Sequence, residues 1–434
     1  MVVFMEVNYC TRQARAIVAG RRHAMTQSAS ATMLQASRDT PDGARRANAD
    51  GDPTHHVEEP MKRRDAIKWL AGPCAALALP AFAQNNRIVL GQSAAFSGPA
   101  AQLGIQMNMG AKIYFNALNA SGGVNGSSIE LRTLDDGYEP DRCKANTEKF
   151  IKDDVFGLFG YVGTPTCLAA LPLVVESKIP FFGPFTGAEA LREPFHKSVF
   201  HLRASYYDET ALIVKQLTSL GLKKIAVFYQ NDAYGKAGLE GVTRALKAQD
   251  LAPIALGTVE RNTVNVTQAV KDIASKMPDA VVQISAYKSC AAFIREARKA
   301  GYGGTFFNVS FVGTQALADE LGKEGRGIMV SQVMPFPFST TTAISREYLD
   351  AVKKAGGDAH PNYSSMEGYL AAKVLAEGLK RAGKNPSRDA LVSGLESMQR
   401  ADFGGFSVEF GPKDHVASRF VDLSMLTEDG KVRR

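Results

Sequence analysis

From residue 87 onward, short apolar runs alternate with longer stretches whose apolar positions recur every three or four residues. The first pattern suits strands buried on both faces, the second amphipathic helices. Ile88–Gly91 reads as a strand, and Gly104–Ala120 as a helix whose Met107, Ala111, Tyr114, Phe115 and Leu118 share a face. A turn at 121–126 (SGGVNG) leads to a strand at 129–134, then helix 143–152, strand 155–161, helix 164–177 and strand 180–182. Near residue 205 the pattern restarts with helix 207–220, strand 224–229, helix 234–249 and strand 254–259. Helix 266–276, strand 280–285, helix 289–300 and strand 305–308 complete this second run. A Pro-rich segment at 333–337 (VMPFP) ends it, followed by a helix at 367–382 and a Gly-rich, strand-like stretch at 403–410. Strand–helix alternation predicts parallel sheets with helices on both faces. Two such runs predict two similar lobes with a cleft at the carboxyl ends of their strands.

A different pattern precedes this one. Residues 61–84 (MKRRDAIKWLAGPCAALALPAFAQ) combine basic Lys62, Arg63 and Arg64, an apolar run from Trp69 to Leu79, and Ala81-Phe82-Ala83. This order reads as a cleaved signal peptide over 61–83, its apolar run shorter than the ~20 residues a bilayer requires. Arg63-Arg64 leaves twin-arginine export open beside the general route, while Pro73 before Cys74 argues against a lipid anchor. Residues 1–60 are polar and aperiodic. They read either as non-native sequence upstream of a true start at Met61, or as a disordered extension. The expected location is the periplasm.

Charge narrows the partners. The chain holds 51 basic and 44 acidic residues, of which 11 and 8 precede residue 84; the remaining 40 and 36 are spread without a basic block. Nucleic acid is given no footprint. Three cysteines follow the leader: Cys143, Cys167 and Cys290. An oxidising compartment permits one bridge, with Cys143–Cys167 the favoured pair, and buried thiols are the plainer alternative. The four later histidines (His196, His201, His360, His415) are scattered, and neither metal spacing nor GxGxxG, P-loop, GxSxG or HExxH occurs. The expectation is a protein that binds without catalysing and carries no catalytic residue, metal or cofactor.

Several motifs then line up. The order strand, AFSGPAAQLG (95–104), helix, GGVNG and Asp135-Asp136 is followed by QNDAYG (230–235) after the KIAVFY strand, and by REARKAG (295–301). Together these resemble the periplasmic leucine/isoleucine/valine-binding proteins of ABC importers, over nearly all of 87–434. The resemblance implies a type I periplasmic binding protein: α/β, with two Rossmann-like doubly wound lobes joined by three hinge crossings and closing on ligand. It implies lobe 1 as 87–205 plus 334–408, lobe 2 as 206–333 plus 409–434, and a crossing at 408–410. It further implies a small-molecule ligand, an inner-membrane ABC permease as partner, and a monomer. The same fold also serves ligand sensors that feed a signalling partner.

Thr164-Pro165 follows a strand and opens a helix. Thr suits the N-cap, Pro the next position, and the free N–H groups a carboxylate. The resemblance places Thr164 where the family holds the ligand carboxylate. Ser97 lies at the first strand–helix loop, and Phe185 and Thr186 lie at another, near the family's contact to the ligand amino group. Tyr234 and Tyr287 match two pocket tyrosines of lobe 2. Asp208 reads as an N-cap, with a ligand or hinge contact as its alternative. Ser310 stands where the family's amino-acid binders carry an acid for the ligand ammonium, Leu103 replaces an aromatic, and Tyr138 and Gly163 occupy the disulfide positions. A hydroxyl cannot offset a buried ammonium. Phe96, Tyr138, Tyr161, Phe185, Tyr206, Tyr207 and Phe311 are expected to make the cleft aromatic. The expected ligand has a carboxylate or amide head and an apolar or aromatic body, with a branched-chain amino acid as the alternative.

Overall fold

The computed structural model describes residues 87–434; the expected signal peptide at 61–83 and the stretch 1–60 lie outside the described residues. The first lobe is built on strands β1 (Arg87–Ala94), β2 (Ser128–Asp135), β3 (Gly157–Phe159), β4 (Phe181–Phe182) and β5 (Val199–Phe200). They pair in parallel in the order β2-β1-β3-β4-β5. Helices α1 (Ala101–Ala120), α2 (Pro140–Lys152) and α3 (Thr164–Ser177) connect them.

The second lobe repeats this plan. It runs through α4 (Tyr206–Ser219), β6 (Ile225–Gln230), α5 (Ala233–Lys247), β7 (Ala255–Val259) and α6 (Thr267–Ala274). It continues with β8 (Ala280–Ile284), α7 (Tyr287–Lys299), β9 (Thr305–Asn308), α8 (Thr314–Leu321) and β10 (Met329–Gln332). The chain then returns beside the first lobe with α9 (Ala343–Ala355), α10 (Tyr363–Arg381), α11 (Arg388–Glu396), β11 (Ala401–Asp402) and β12 (Ser407–Val408), and ends on the second sheet with β13 (Asp422–Leu426) and β14 (Val432–Arg433). The second sheet runs β14-β13-β10-β9-β8-β6-β7, with β13 and β14 antiparallel additions at one edge. In both lobes the second strand doubles back beside the first. The strand order therefore reverses between β1 and β3, and between β6 and β8, where open α/β sheets hold their ligands.

Three passages join the lobes: β5 to α4, β10 to α9, and β12 to β13. The first and third run side by side, with His201 N–H donating to His415 O and Ala417 N–H to His201 O, each at 2.8 Å. Helix α10 packs along α1 at paired glycines. A Cβ at Gly110 would fall 1.8 Å from the Ser365 carbonyl oxygen, and one at Gly368 2.0 Å from that of Met107. Only glycine permits so close a backbone approach, and this approach fixes the height of Glu367 on α10.

Two expectations change. The stretch 403–410 is not one strand, because Gly404 and Gly405 adopt φ of 83° and 98°. Asp402 accepts the Gly405 N–H at 2.7 Å, folding the chain into the β11–β12 hairpin. Cys143 and Cys167 are free thiols, buried in one cluster with Phe150, Leu158 and Phe181, so the favoured bridge does not form. Burial pushes both thiols up, as suits small apolar core residues. No helix among the described residues is long and apolar enough to cross a membrane.

Candidate functional site

The loops beyond the strand ends meet in a seam between the lobes, and aromatic rings fill it. Phe311, just after β9, has its ring centre 4.6 Å from Tyr234, 5.6 Å from Phe185 and 6.0 Å from Tyr138. Tyr206 adds a fifth ring 5.4 Å from Tyr234. Tyr138 and Phe185 come from lobe 1 and the others from lobe 2, so the cluster joins the lobes; all five are buried. Leu103 reaches across beside Gly313, where a Cβ would fall 2.5 Å from its Cδ2. A Cβ at Gly163 would meet the Tyr138 ring at 2.2 Å, so this Tyr/Gly pair is in contact without a disulfide.

The expected site residues divide into two groups. Thr164 and Thr186 share a hydrogen bond of 2.6 Å between hydroxyls, and Thr186 donates onward to the Tyr206 hydroxyl at 3.3 Å. With Phe185, Tyr234 and Ser310 they lie at the ring cluster. Thr164 is not the cap of α3: Gly163, at φ 105°, takes that position, and Thr164 is the first helical residue. Asp208 is likewise not a cap. Ser205 caps α4, and Asp208 returns the bond as the third helical residue.

Three other expected residues lie elsewhere. Tyr161 turns into the lobe 1 core, edge-on to Phe181 at 5.0 Å with its hydroxyl 3.2 Å from that of Thr147. Its side chain serves the α2–α3 layer and not the seam. Ser97 is exposed and donates to Asp135 at 2.5 Å. Burial opposes ionisation of Asp135, but the Ser97 hydroxyl, the Phe96 and Gly137 N–H groups and Arg142 hold its carboxyl down at about 2. Ser97 therefore fastens its own loop. Tyr287 opens α7 and lies against the Gln102 backbone of lobe 1, outside the ring cluster. Of the remaining expected aromatics, Phe96 is half-buried and gives its N–H to Asp135, while Tyr207 lies under Arg244, 4.4 Å from its ring centre.

Beneath the rings is a charge cluster that the sequence reading missed. Arg203, in the first passage between lobes, stacks its guanidinium 4.5 Å from the Phe185 ring centre. Its Nε lies 3.0 Å from Glu367 Oε1, and its Nη2 donates to Glu367 Oε2 at 3.1 Å and to Ser310 Oγ at 2.8 Å. Glu209, on α4, accepts from Ser310 N–H at 2.7 Å, Ser310 Oγ at 3.0 Å and Ser331 Oγ at 2.5 Å. The acid expected to be missing at Ser310 is thus one hydrogen bond away, and its oxygens are already engaged. Burial raises Glu367 to about 7, partly offset by Arg203. Burial likewise raises Glu209, again against the pull of Arg203.

These residues left some trace. Glu209 falls among Tyr206, Thr210, Ile213, Val214 and Leu217 on the buried face of α4, and Arg203 sits between Leu202 and Ala204. A charge on an apolar stripe is the available signal.

Two hinged α/β lobes, meeting at the reversal points of their sheets over a lined seam, define a solute-binding protein of the two-lobed extracytoplasmic class. The family model for periplasmic binding proteins matches residues 87–431, and the chain belongs to that family. It is 27% identical over 381 residues to Leu/Ile/Val-binding protein homolog 7 of Brucella suis biovar 1, covering 82% of this chain and 93% of that one. Among solved structures, a possible leucine/isoleucine/valine-binding protein from Rhodopirellula baltica SH 1 is 35% identical with a TM-score of 0.78. The match covers 80% of this chain and 96% of that one. A substrate-binding periplasmic protein from Ralstonia solanacearum is 32% identical with a TM-score of 0.76, covering 80% and 99%.

Proposed function

We propose that this chain is the exported receptor of an ABC importer of the branched-chain or hydrophobic amino-acid type, capturing a small carboxylate-bearing ligand between its lobes. The observation that carries this reading is the seam itself. The Thr164–Thr186 hydroxyl pair stands on lobe 1, Tyr234 and Ser310 stand on lobe 2, and aromatic rings lie between. Similarity to proteins named for leucine, isoleucine and valine supports the transport assignment, and the leader at 61–83 supports export to the periplasm.

Glu209 is bound to Ser310 and Ser331, which leaves little acceptor capacity for a ligand ammonium. This favours an apolar or aromatic body with a carboxylate or amide head over a standard amino acid. Burying a leucine-sized body supplies about 1.5–3 kcal/mol, whereas micromolar affinity needs about 8 kcal/mol. The head group and lobe closure must supply the rest. Closure follows from differential contact: a ligand that touches both lobes stabilises the shut form. The protein binds its ligand unchanged and passes it to a permease.

A thermal-shift screen tests this. The panel is leucine, valine, benzoate, phenylacetate, short dicarboxylates and their amides. A ligand at a hundredfold excess over its Kd stabilises by about 2.7 kcal/mol. The expected result is a shift with apolar or aromatic carboxylates. A shift with leucine while aromatic acids do nothing would reject the altered head-group preference.

A further inference from the structure

Arg203 Nη1 and the Tyr234 hydroxyl are among the buried polar atoms of the seam that find no hydrogen-bond partner among the protein's atoms; Arg203 Nε also makes none, but it lies 3.0 Å from Glu367 Oε1. Both side chains are buried, at 1% and 0% exposure, and Arg203 lies in the first passage between the lobes. Buried donors are normally satisfied, and leaving one unmade is costly. The other nitrogens of Arg203 face Glu367 and Ser310, while Nη1 remains free. The neutral phenols of Tyr206 and Tyr234 both lie near the same guanidinium. The Phe185 ring under the guanidinium and the Phe311 ring against Tyr234 are themselves in contact at 5.6 Å. Both unpartnered groups can donate, which selects an oxygen acceptor over an ammonium.

We infer that Arg203 and Tyr234 hold the ligand carboxylate at the hinge end of the seam, Arg203 through Nη1 and Tyr234 through its hydroxyl. This rests on the receptor reading above and deepens it by moving the head-group anchor from the start of α3 to the hinge. It accounts for the buried guanidinium: a charge-assisted bond to carboxylate is among the strong contacts a binding site can make. It also links binding to closure, because Arg203 bonds to Glu367 in lobe 1 and to Ser310 in lobe 2.

The charge balance adds a second signature. The charged groups facing Glu367 are Arg203, Glu209 and Arg192. Two guanidinium groups already face two carboxylates, so an incoming anion leaves one negative charge in excess, which is relieved when Glu367 takes up a proton. Near neutral pH Glu367 is within reach of that change.

The test is calorimetric titration of the full chain with benzoate, phenylacetate and leucine, comparing wild type with Tyr234→Phe, Arg203→Lys and Thr164→Val. Tyr234→Phe keeps the ring and removes a hydroxyl with no protein partner, so its unfolding midpoint should match wild type. Its affinity for the aromatic carboxylates should fall about tenfold, one charge-assisted hydrogen bond. Arg203→Lys should weaken binding at least as much; if it fails to fold, Tyr234→Phe decides alone. Titrations in phosphate and in Tris at pH 7 should show net proton uptake on binding. Carboxylates that bind wild type and Tyr234→Phe equally, but lose affinity in Thr164→Val, would overturn the inference and leave the receptor reading standing. Failure of every carboxylate to bind wild type would overturn the carboxylate reading and the inference with it.

Discussion

The lobes are joined by ionic contacts at two depths, which makes them a controlled comparison. At the hinge base, Arg203, Glu367, Glu209, Ser310 and Ser331 form a network whose guanidinium is 1% exposed. At the opposite rim, Arg261 donates to Glu139 at 2.8 Å, and Asn262 to Glu139 at 2.7 Å and to the Gly137 carbonyl at 3.0 Å. There the Arg261 and Glu139 side chains are 25% and 42% exposed. Chemically similar pairs thus sit in different dielectric surroundings. The deep network has lost its hydration and depends on full pairing; the rim pair keeps part of its water and is screened by salt. The difference assigns them different tasks. Under the proposed closure, the deep network would hold the hinge end in one arrangement, while the rim contacts would break and re-form at low cost.

The largest effect expected is at depth. Arg203→Met leaves two carboxylates buried without their cation and should cost about 3–5 kcal/mol in urea unfolding. A change under 1 kcal/mol would mean that the guanidinium is not the keystone of the network.

Next comes pH. Glu367 is raised to about 7 from an ordinary 4.5, so between those values the folded state holds a proton that the unfolded chain releases. Stability should therefore fall as pH rises from about 4.5 to about 7 and then level. Asp136, raised to about 6 by burial, acts in the same direction. Glu367→Gln should flatten the slope without abolishing it, as read from unfolding midpoints across that range. An unchanged slope would remove Glu367 from the account.

The smallest effect belongs to the rim. Arg261→Ala should alter stability by about 0–1 kcal/mol, and the difference from wild type should shrink in high salt. A larger, salt-independent loss would put the rim on a par with the hinge base and erase the comparison.

Most of the scaffold was legible because it rests on period. The strands Ile225–Gln230 and Ala280–Ile284 are unbroken apolar runs, and α3 and β9 fall where their patterns begin and end. Strand β10 (MVSQ) escaped because Ser331 and Gln332 point inward to polar partners, hiding the apolar signature. Helix α8 and the edge strands β13 and β14 are short and partly exposed, so their patterns are weak. The candidate site was legible where a motif fixed a loop, as at Thr164, Phe185, Thr186 and Tyr234. It was not legible where only side-chain direction decides. Tyr161, just past β3, turns into the core, and Ser97 turns toward Asp135. Arg203 and Glu209 are close in sequence, but Glu367 lies 164 residues beyond Arg203 and joins them only in the folded hinge, so no local spacing announces the cluster.

The central claim is capture by closure of the two lobes. Small-angle X-ray scattering of the protein, alone and then saturated with the carboxylate that gives the largest thermal shift, tests it most directly. Ligand should shrink the radius of gyration and bring the profile onto the closed arrangement in which Phe311 meets Phe185 and Arg261 meets Glu139. A bound ligand that leaves the profile unchanged and open would contradict it.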